Sequence, residues 1–152
     1  MRLGKAEHMR VGVLLRSLML VLVMVLFVAA CSSDEPASGP ITIEAKLDVS
    51  ARPIAGTFEV TEGADVLGCS AGKFVDDPSG DELKRVMTCS GPNTGTFTHS
   101  FDPLGYDTGP GEQNGPWRIV DATADFTGLQ GGGDWWGIGT TETITGDIEY
   151  TS

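Results

Sequence analysis

From Ile41 onward, apolar and polar residues alternate. Ile41, Ile43, Ala45, Leu47 and Val49 hold one parity; Thr42, Glu44, Lys46 and Asp48 hold the other. A period of two over nine residues predicts a half-buried β-strand. After Arg52-Pro53, the run GTFEVTEG predicts a second strand with Phe58 and Val60 on one face. Val66 to Val75 is a weaker third run, and Asp76 to Glu82 is an acidic turn. Lys84 to Cys89 and Thr94 to Phe101 predict two more strands, the latter with Phe97, His99 and Phe101 on one face. Leu104 to Pro116, rich in Gly and Pro, reads as the longest loop. Trp117 to Phe126 predicts a sixth strand with Val120, Ala122, Ala124 and Phe126 as its apolar face. Gly128 to Gly133 reads as a Gly-rich turn. Trp135 to Tyr150 gives one long strand or a hairpin, with Trp136, Ile138, Ile144, Ile148 and Tyr150 on its even face. No long segment of this region carries helical periodicity. Such a series of short strands predicts an all-β domain: a small antiparallel β-barrel of about eight strands, or alternatively a β-sandwich.

The first forty residues follow a different pattern. Arg10 and Arg16 precede an unbroken apolar run of 13 residues, Leu18 to Ala30. A membrane-spanning helix needs about 20 apolar residues, and Val11 to Ala30 reaches that length only by including Arg16 and Ser17. Anchor helix and cleaved export signal therefore compete on length. The run ends in Val28-Ala29-Ala30-Cys31, followed by the polar residues Ser32, Ser33, Asp34 and Glu35. This segment resembles the lipobox of bacterial lipoproteins. The resemblance implies diacylglyceryl transfer to the Cys31 sulfur, cleavage before Cys31, and acyl chains such as palmitate. The alternative is a free Cys at the end of a transmembrane helix. Met9 competes with Met1 as the start, because MRVGVLLRS makes the more usual basic segment. The expected organisation is a signal peptide at 1–30, a Pro/Gly/Ser tether at 31–40 and a β-domain at 41–152. The domain is then held on the extracytoplasmic face of the cell membrane by its lipid.

Charge narrows the partners. The full chain carries 21 acidic and 10 basic residues. Removing residues 1–30 takes away Arg2, Lys5, Arg10, Arg16 and Glu7, which leaves a formal charge of −14. Nucleic-acid affinity comes mainly from Lys and Arg on phosphates, so nucleic acid is not an expected partner. Anionic lipid is disfavoured for the same reason, and solubility outside the cell accounts for the acidity.

Gly115 to Gly133, GPWRIVDATADFTGLQGGG, resembles the strand–turn–strand signature of the allene oxide cyclase and dirigent-like barrel superfamily, closest to its uncharacterised bacterial members. Gly56-Thr57-Phe58-Glu59-Val60 and Thr145-Gly146-Asp147-Ile148-Glu149-Tyr150 are in keeping with it. Asp121 and Asp125 depart from the signature, standing where Gly is commoner. The resemblance implies an eight-stranded antiparallel barrel. It carries over no catalytic residue, and fold alone does not give function.

The chemistry-bearing residues are few. Cys69 and Cys89 follow an export signal, so a structural disulfide between neighbouring strands is expected. Asp77-x-Ser79-x-Asp81 superficially resembles a calcium loop, but Glu82 occupies the Gly position and Thr88 the final Glu position. A solvated acidic turn fits better, and neither metal nor cofactor is expected. Glu142 shares the even face with Trp136 and Ile144, and His99 lies with Phe97 and Phe101. If both point inward, they form a candidate acid–base pair in an apolar interior, where burial raises a carboxyl pKa. The favoured expectation is that a turn near Gly139–Thr141 shifts the register and puts Glu142 outside. Trp117, Trp135 and Trp136 are candidates for a ligand-stacking platform, although such residues more often plug or cap a small barrel. These features rank a non-catalytic module for a small apolar ligand or an envelope protein ahead of a cyclase- or isomerase-type enzyme.

The N-terminal pattern yields a first prediction. Replacing Cys31 with Ser removes the acceptor sulfur, so metabolic labelling with an alkyne fatty acid should tag the wild type and not the variant. A variant that stays labelled and membrane-bound with wild-type mobility would rule out the lipoprotein reading.

Overall fold

The computed structural model describes residues 37–79, 82–103 and 112–151. Cys31, Asp81 and most of the 104–116 segment lie outside the described residues. Eight strands follow in order: β1 (Ser38–Asp48), β2 (Ala55–Glu62), β3 (Ala71–Asp77), β4 (Leu83–Cys89), β5 (Thr96–Phe101), β6 (Glu112–Ala122), β7 (Leu129–Ile138) and β8 (Thr141–Tyr150). Each pairs antiparallel with its neighbours, and β1 pairs with β8 as well as β2. The sheet is a closed barrel, which excludes the sandwich. β1 begins three residues before Ile41, with Ser38 opposite Glu149.

Several expected elements change. Within the 66–75 run, a helical turn α1 (Ala64–Leu67) replaces the start of the third strand. Glu112 to Pro116, expected in a loop, belongs to β6. That strand stops at Ala122 and a 3₁₀ turn (Ala124–Phe126) follows, so Val120 and Ala124 are exposed while Phe126 is buried. Leu129 to Gly133 forms the start of β7 rather than a turn. Its glycines are needed for packing: a Cβ on Gly133 would lie 2.0 Å from the Thr145 carbonyl oxygen. Lastly, Ile138 pairs with Thr141 across a two-residue turn, so those two share a face. That parity change sends Trp136 and Ile138 outward, each about half exposed, while Ile144 and Ile148 remain inside.

One end of the barrel is sealed. Leu67 of α1 and Phe126 of the 3₁₀ turn are buried there, and the Tyr150 hydroxyl donates to the Leu67 carbonyl at 3.1 Å. Above this floor, Phe126, Phe97 and Phe58 stack in sequence, with centroid spacings of 5.4 and 6.3 Å. The wall provides room for them by pairing each large ring with a glycine. Phe58 lies opposite Gly72, and Phe74 opposite Gly56; a Cβ on Gly72 would meet the Phe58 ring at 2.6 Å. Cys69 and Cys89 form a disulfide with Cα atoms 5.9 Å apart. Cys89 ends β4, but Cys69 lies in the link from α1 to β3, so the bond ties the floor to the wall rather than joining two strands. The opposite end, where β3 meets β4 and β7 meets β8, carries the polar interior.

Candidate functional site

Arg85 enters the interior from β4, in phase with Met87, and is 2% exposed. A buried guanidinium needs partners for its donors. Asp76, its cross-strand neighbour on β3, supplies two: Nε donates to Oδ1 at 2.6 Å and Nη2 to Oδ2 at 3.3 Å. Nη1 donates to Oε2 of Glu142 on β8. In a ring of eight strands β4 and β8 stand on opposite sides, so this ion pair spans the barrel. Small residues make room for it, because Glu142 lies opposite Ala45 on β1 and Gly137 on β7. The guanidinium carbon also sits 4.0 Å from the Phe74 ring centroid and 5.0 Å from that of Phe101, a cation–π arrangement. Burial works against the Arg85 charge, but the Asp76 hydrogen bond and the charges of Glu142 and Asp76 outweigh it, raising its pKa above the usual value.

Glu142 therefore faces inward, contrary to the favoured expectation. The turn near Gly139–Thr141 does change the parity, but the residues it moves outside are Trp136 and Ile138. Nor are the surroundings of Glu142 purely apolar, because Arg85 occupies one of its oxygens. His99 also points inward, with Arg85 opposite it on β4. It is fully buried, and its ring packs against Phe101 at 4.4 Å and Trp117 at 5.9 Å. Burial, and then the Arg85 charge, hold its pKa well below the ordinary 6.5. Among the described residues, neither ring nitrogen of His99 has a hydrogen-bond partner, and neither does Trp135 Nε1. Each such buried group costs roughly 1–3 kcal/mol.

The tryptophans divide. Trp117 and Trp135 are buried inside the barrel, while Trp136 lies outside. Trp117 faces Gly133, which in turn faces Gly146, and across these two glycines its indole nitrogen donates to the Thr145 carbonyl at 2.9 Å. Phe101 and Trp117 also back an outer groove of about 520 Å³ lined by Leu83, Ser100, Pro103 and Pro116, with Glu82, Asp102 and Arg118 as its charged residues. Arg118 Nη2 donates to Glu82 Oε1 at 3.1 Å in an exposed pair. A shallower groove of about 470 Å³ lies where β6 and β7 diverge past Arg118 and Gly132. Neither groove is lined by Arg85, His99 or Glu142.

Asp76 and Arg85 were absent from the expected site, although the sequence carried a signal for both. Asp76 is in phase with Phe74, and Arg85 with Met87. A charge on the apolar parity of a strand points into the core. In the acidic turn, Asp77 caps itself through Ser79, whose N–H donates to Oδ1 at 2.9 Å. Among the described residues no three His, Cys, Asp or Glu side chains are grouped to hold a metal.

Two predictions follow from this interior. Removing one partner of a buried ion pair costs about 3–5 kcal/mol, whereas replacing both with apolar groups is often neutral. In urea denaturation Glu142→Gln should therefore lose about 3 kcal/mol, and Arg85→Met/Glu142→Leu should recover most of that loss. Equal losses in both would contradict a cross-barrel pair. The second prediction concerns acid. His99 stays neutral in the folded barrel and takes a proton when unfolded below pH 6.5, so stability is fully present above that pH and falls below it. From pH 7.5 to 5.5 the loss should be about 1.4 kcal/mol, and His99→Phe should abolish it.

No protein-family model matches this chain, and no curated protein or solved structure matches it either; the resemblance to the allene oxide cyclase and dirigent-like barrels rests on the signature residues alone.

Proposed function

We propose that the chain is an exported lipoprotein, anchored through Cys31 on the extracytoplasmic face of the membrane, whose barrel is a non-catalytic binding module. The observation that carries the non-catalytic part is the Arg85–Glu142 pair. The one buried carboxylate that fits an acid–base role has an oxygen taken up by a guanidinium, and that guanidinium is itself fixed by Asp76. Among the described residues His99 has no hydrogen-bond partner, so no relay through them links it to Glu142. Acid–base catalysis needs a group within hydrogen-bond reach of the proton it moves, and this interior is filled by Phe, Trp and Met side chains.

Recognition is assigned to the groove over Phe101 and Trp117. It combines apolar walls with a few polar groups, as small-molecule sites do, and Leu83 at its edge is 56% exposed. The ligand class is a small apolar molecule or a protein of the cell envelope. The inward placement of both His99 and Glu142 keeps a cyclase- or isomerase-type enzyme as the second reading.

The two separate by crosslinking. A photo-reactive amino acid at Leu83 should capture one defined species in intact cells. The same residue at Lys73, exposed on β3 away from the groove, should capture none. Equal capture at both positions, or none at Leu83, would overturn the assignment. A captured small molecule that the purified protein converts, and that Glu142→Gln does not, would establish the enzyme reading instead.

A further inference from the structure

One pair of aromatic rings separates two spaces. On the outer side, Phe101 and Trp117 form the back of the groove. On the inner side, the same rings cover His99, and Phe101 packs 5.0 Å from Trp135. The three buried polar atoms without a protein partner among the described residues, His99 Nδ1, His99 Nε2 and Trp135 Nε1, all belong to this cluster. Buried polar atoms in folded proteins are nearly always paired. Here all three belong to rings packed against Phe101, part of the groove's back wall.

We infer that this cluster is a ligand subsite: a neutral, largely apolar alcohol enters the groove, turns the Phe101 ring aside, and pairs its hydroxyl with the His99 imidazole. The inference rests on the groove being the binding site, and it names the ligand class. Phe101, the last residue of β5, is the ring that stands between the groove and both His99 and Trp135. The hydroxyl follows from the inventory of unpaired atoms. A neutral imidazole has one donor and one acceptor, and an indole has one donor. A hydroxyl can answer either kind; a ketone offers no proton, and an ammonium group offers no lone pair. Charge excludes an acid. Glu82 and Asp102 outnumber Arg118 in the groove, and Asp76 and Glu142 outnumber Arg85 behind it. A carboxylate ligand would therefore meet excess negative charge on both sides.

The test uses the full chain, purified from membranes and reconstituted in nanodiscs, with empty nanodiscs subtracting partition into lipid. The probes are 2-indanol and indane, which differ by one hydroxyl, and binding is followed by tryptophan emission. Wild type should bind 2-indanol about tenfold more tightly than indane. His99→Phe replaces the unpaired imidazole with an apolar ring, so it should fold at least as stably as wild type and bind both probes alike. Equal binding of both probes by wild type, as a subsite satisfied by water would give, overturns the proposal and leaves the groove in place as a binding site. A preference that survives in His99→Phe overturns it in the same way. Failure of wild type to bind either probe overturns the proposal, while the groove reading then stands or falls on the Leu83 crosslink.

Discussion

An eight-stranded barrel has an interior just wide enough for side chains to fill, so a guanidinium placed inside must be satisfied within a few ångströms. Arg85 sets that constraint here. Its donors reach Asp76 on the adjacent strand and Glu142 across the barrel, and its faces meet Phe74 and Phe101. Leaving either carboxylate without the cation, or the cation without them, strands a charge in a low-dielectric interior. The rim half of the barrel is therefore polar inside, with its charges engaged in this ion-pair network while the His99 ring nitrogens have no partner among the described residues. The buried rings of Phe101 and Trp117 stand between this interior and the outer groove.

The remaining interior is a problem of volume, solved by matching large rings with missing side chains. Gly56-Thr57-Phe58 on β2 and Gly72-Lys73-Phe74 on β3 run antiparallel, so each Phe finds the other strand's Gly. Trp117 uses the same device across β7 and β8, where Gly133 and Gly146 leave a path to the Thr145 carbonyl. Overpacking such a site typically costs 1–3 kcal/mol, so these glycines are fixed by space rather than by turn chemistry. The floor obeys the same rule, with α1 and the 3₁₀ turn each inserting one apolar side chain, Leu67 and Phe126, beneath the stacked rings. The disulfide then holds the α1–β3 link against β4.

The alternation of Ile41 through Leu47 placed β1 and its inward face, because a period of two is a local property of the backbone. The same held for Phe58 and Val60, and for Phe97, His99 and Phe101; the Cys69–Cys89 disulfide was expected from thiol count and compartment instead. Reading failed where one residue resets the parity. The tight turn at Gly139–Thr140 moved Trp136 and Ile138 outside, and the register shift between β5 and β6 exposed Val120. A run of glycines that resembles a turn proved to be a strand, because what those glycines avoid lies on neighbouring strands.

The sequence by itself determined the all-β class, the approximate number of strands and the common face of Phe97, His99 and Phe101, since each depends on periodicity within a few residues. It also contained Asp76 and Arg85 on apolar parities, a hint that charge was bound for the core. Only the tertiary structure decided what that charge meets. Arg85 and Glu142 stand 57 residues apart, and they face each other because the sheet closes β1 onto β8 and so sets β4 opposite β8. Ring closure is a long-range constraint with no local signature, so the partner of Arg85, the side taken by Glu142 and the rings enclosing His99 were all settled by closure.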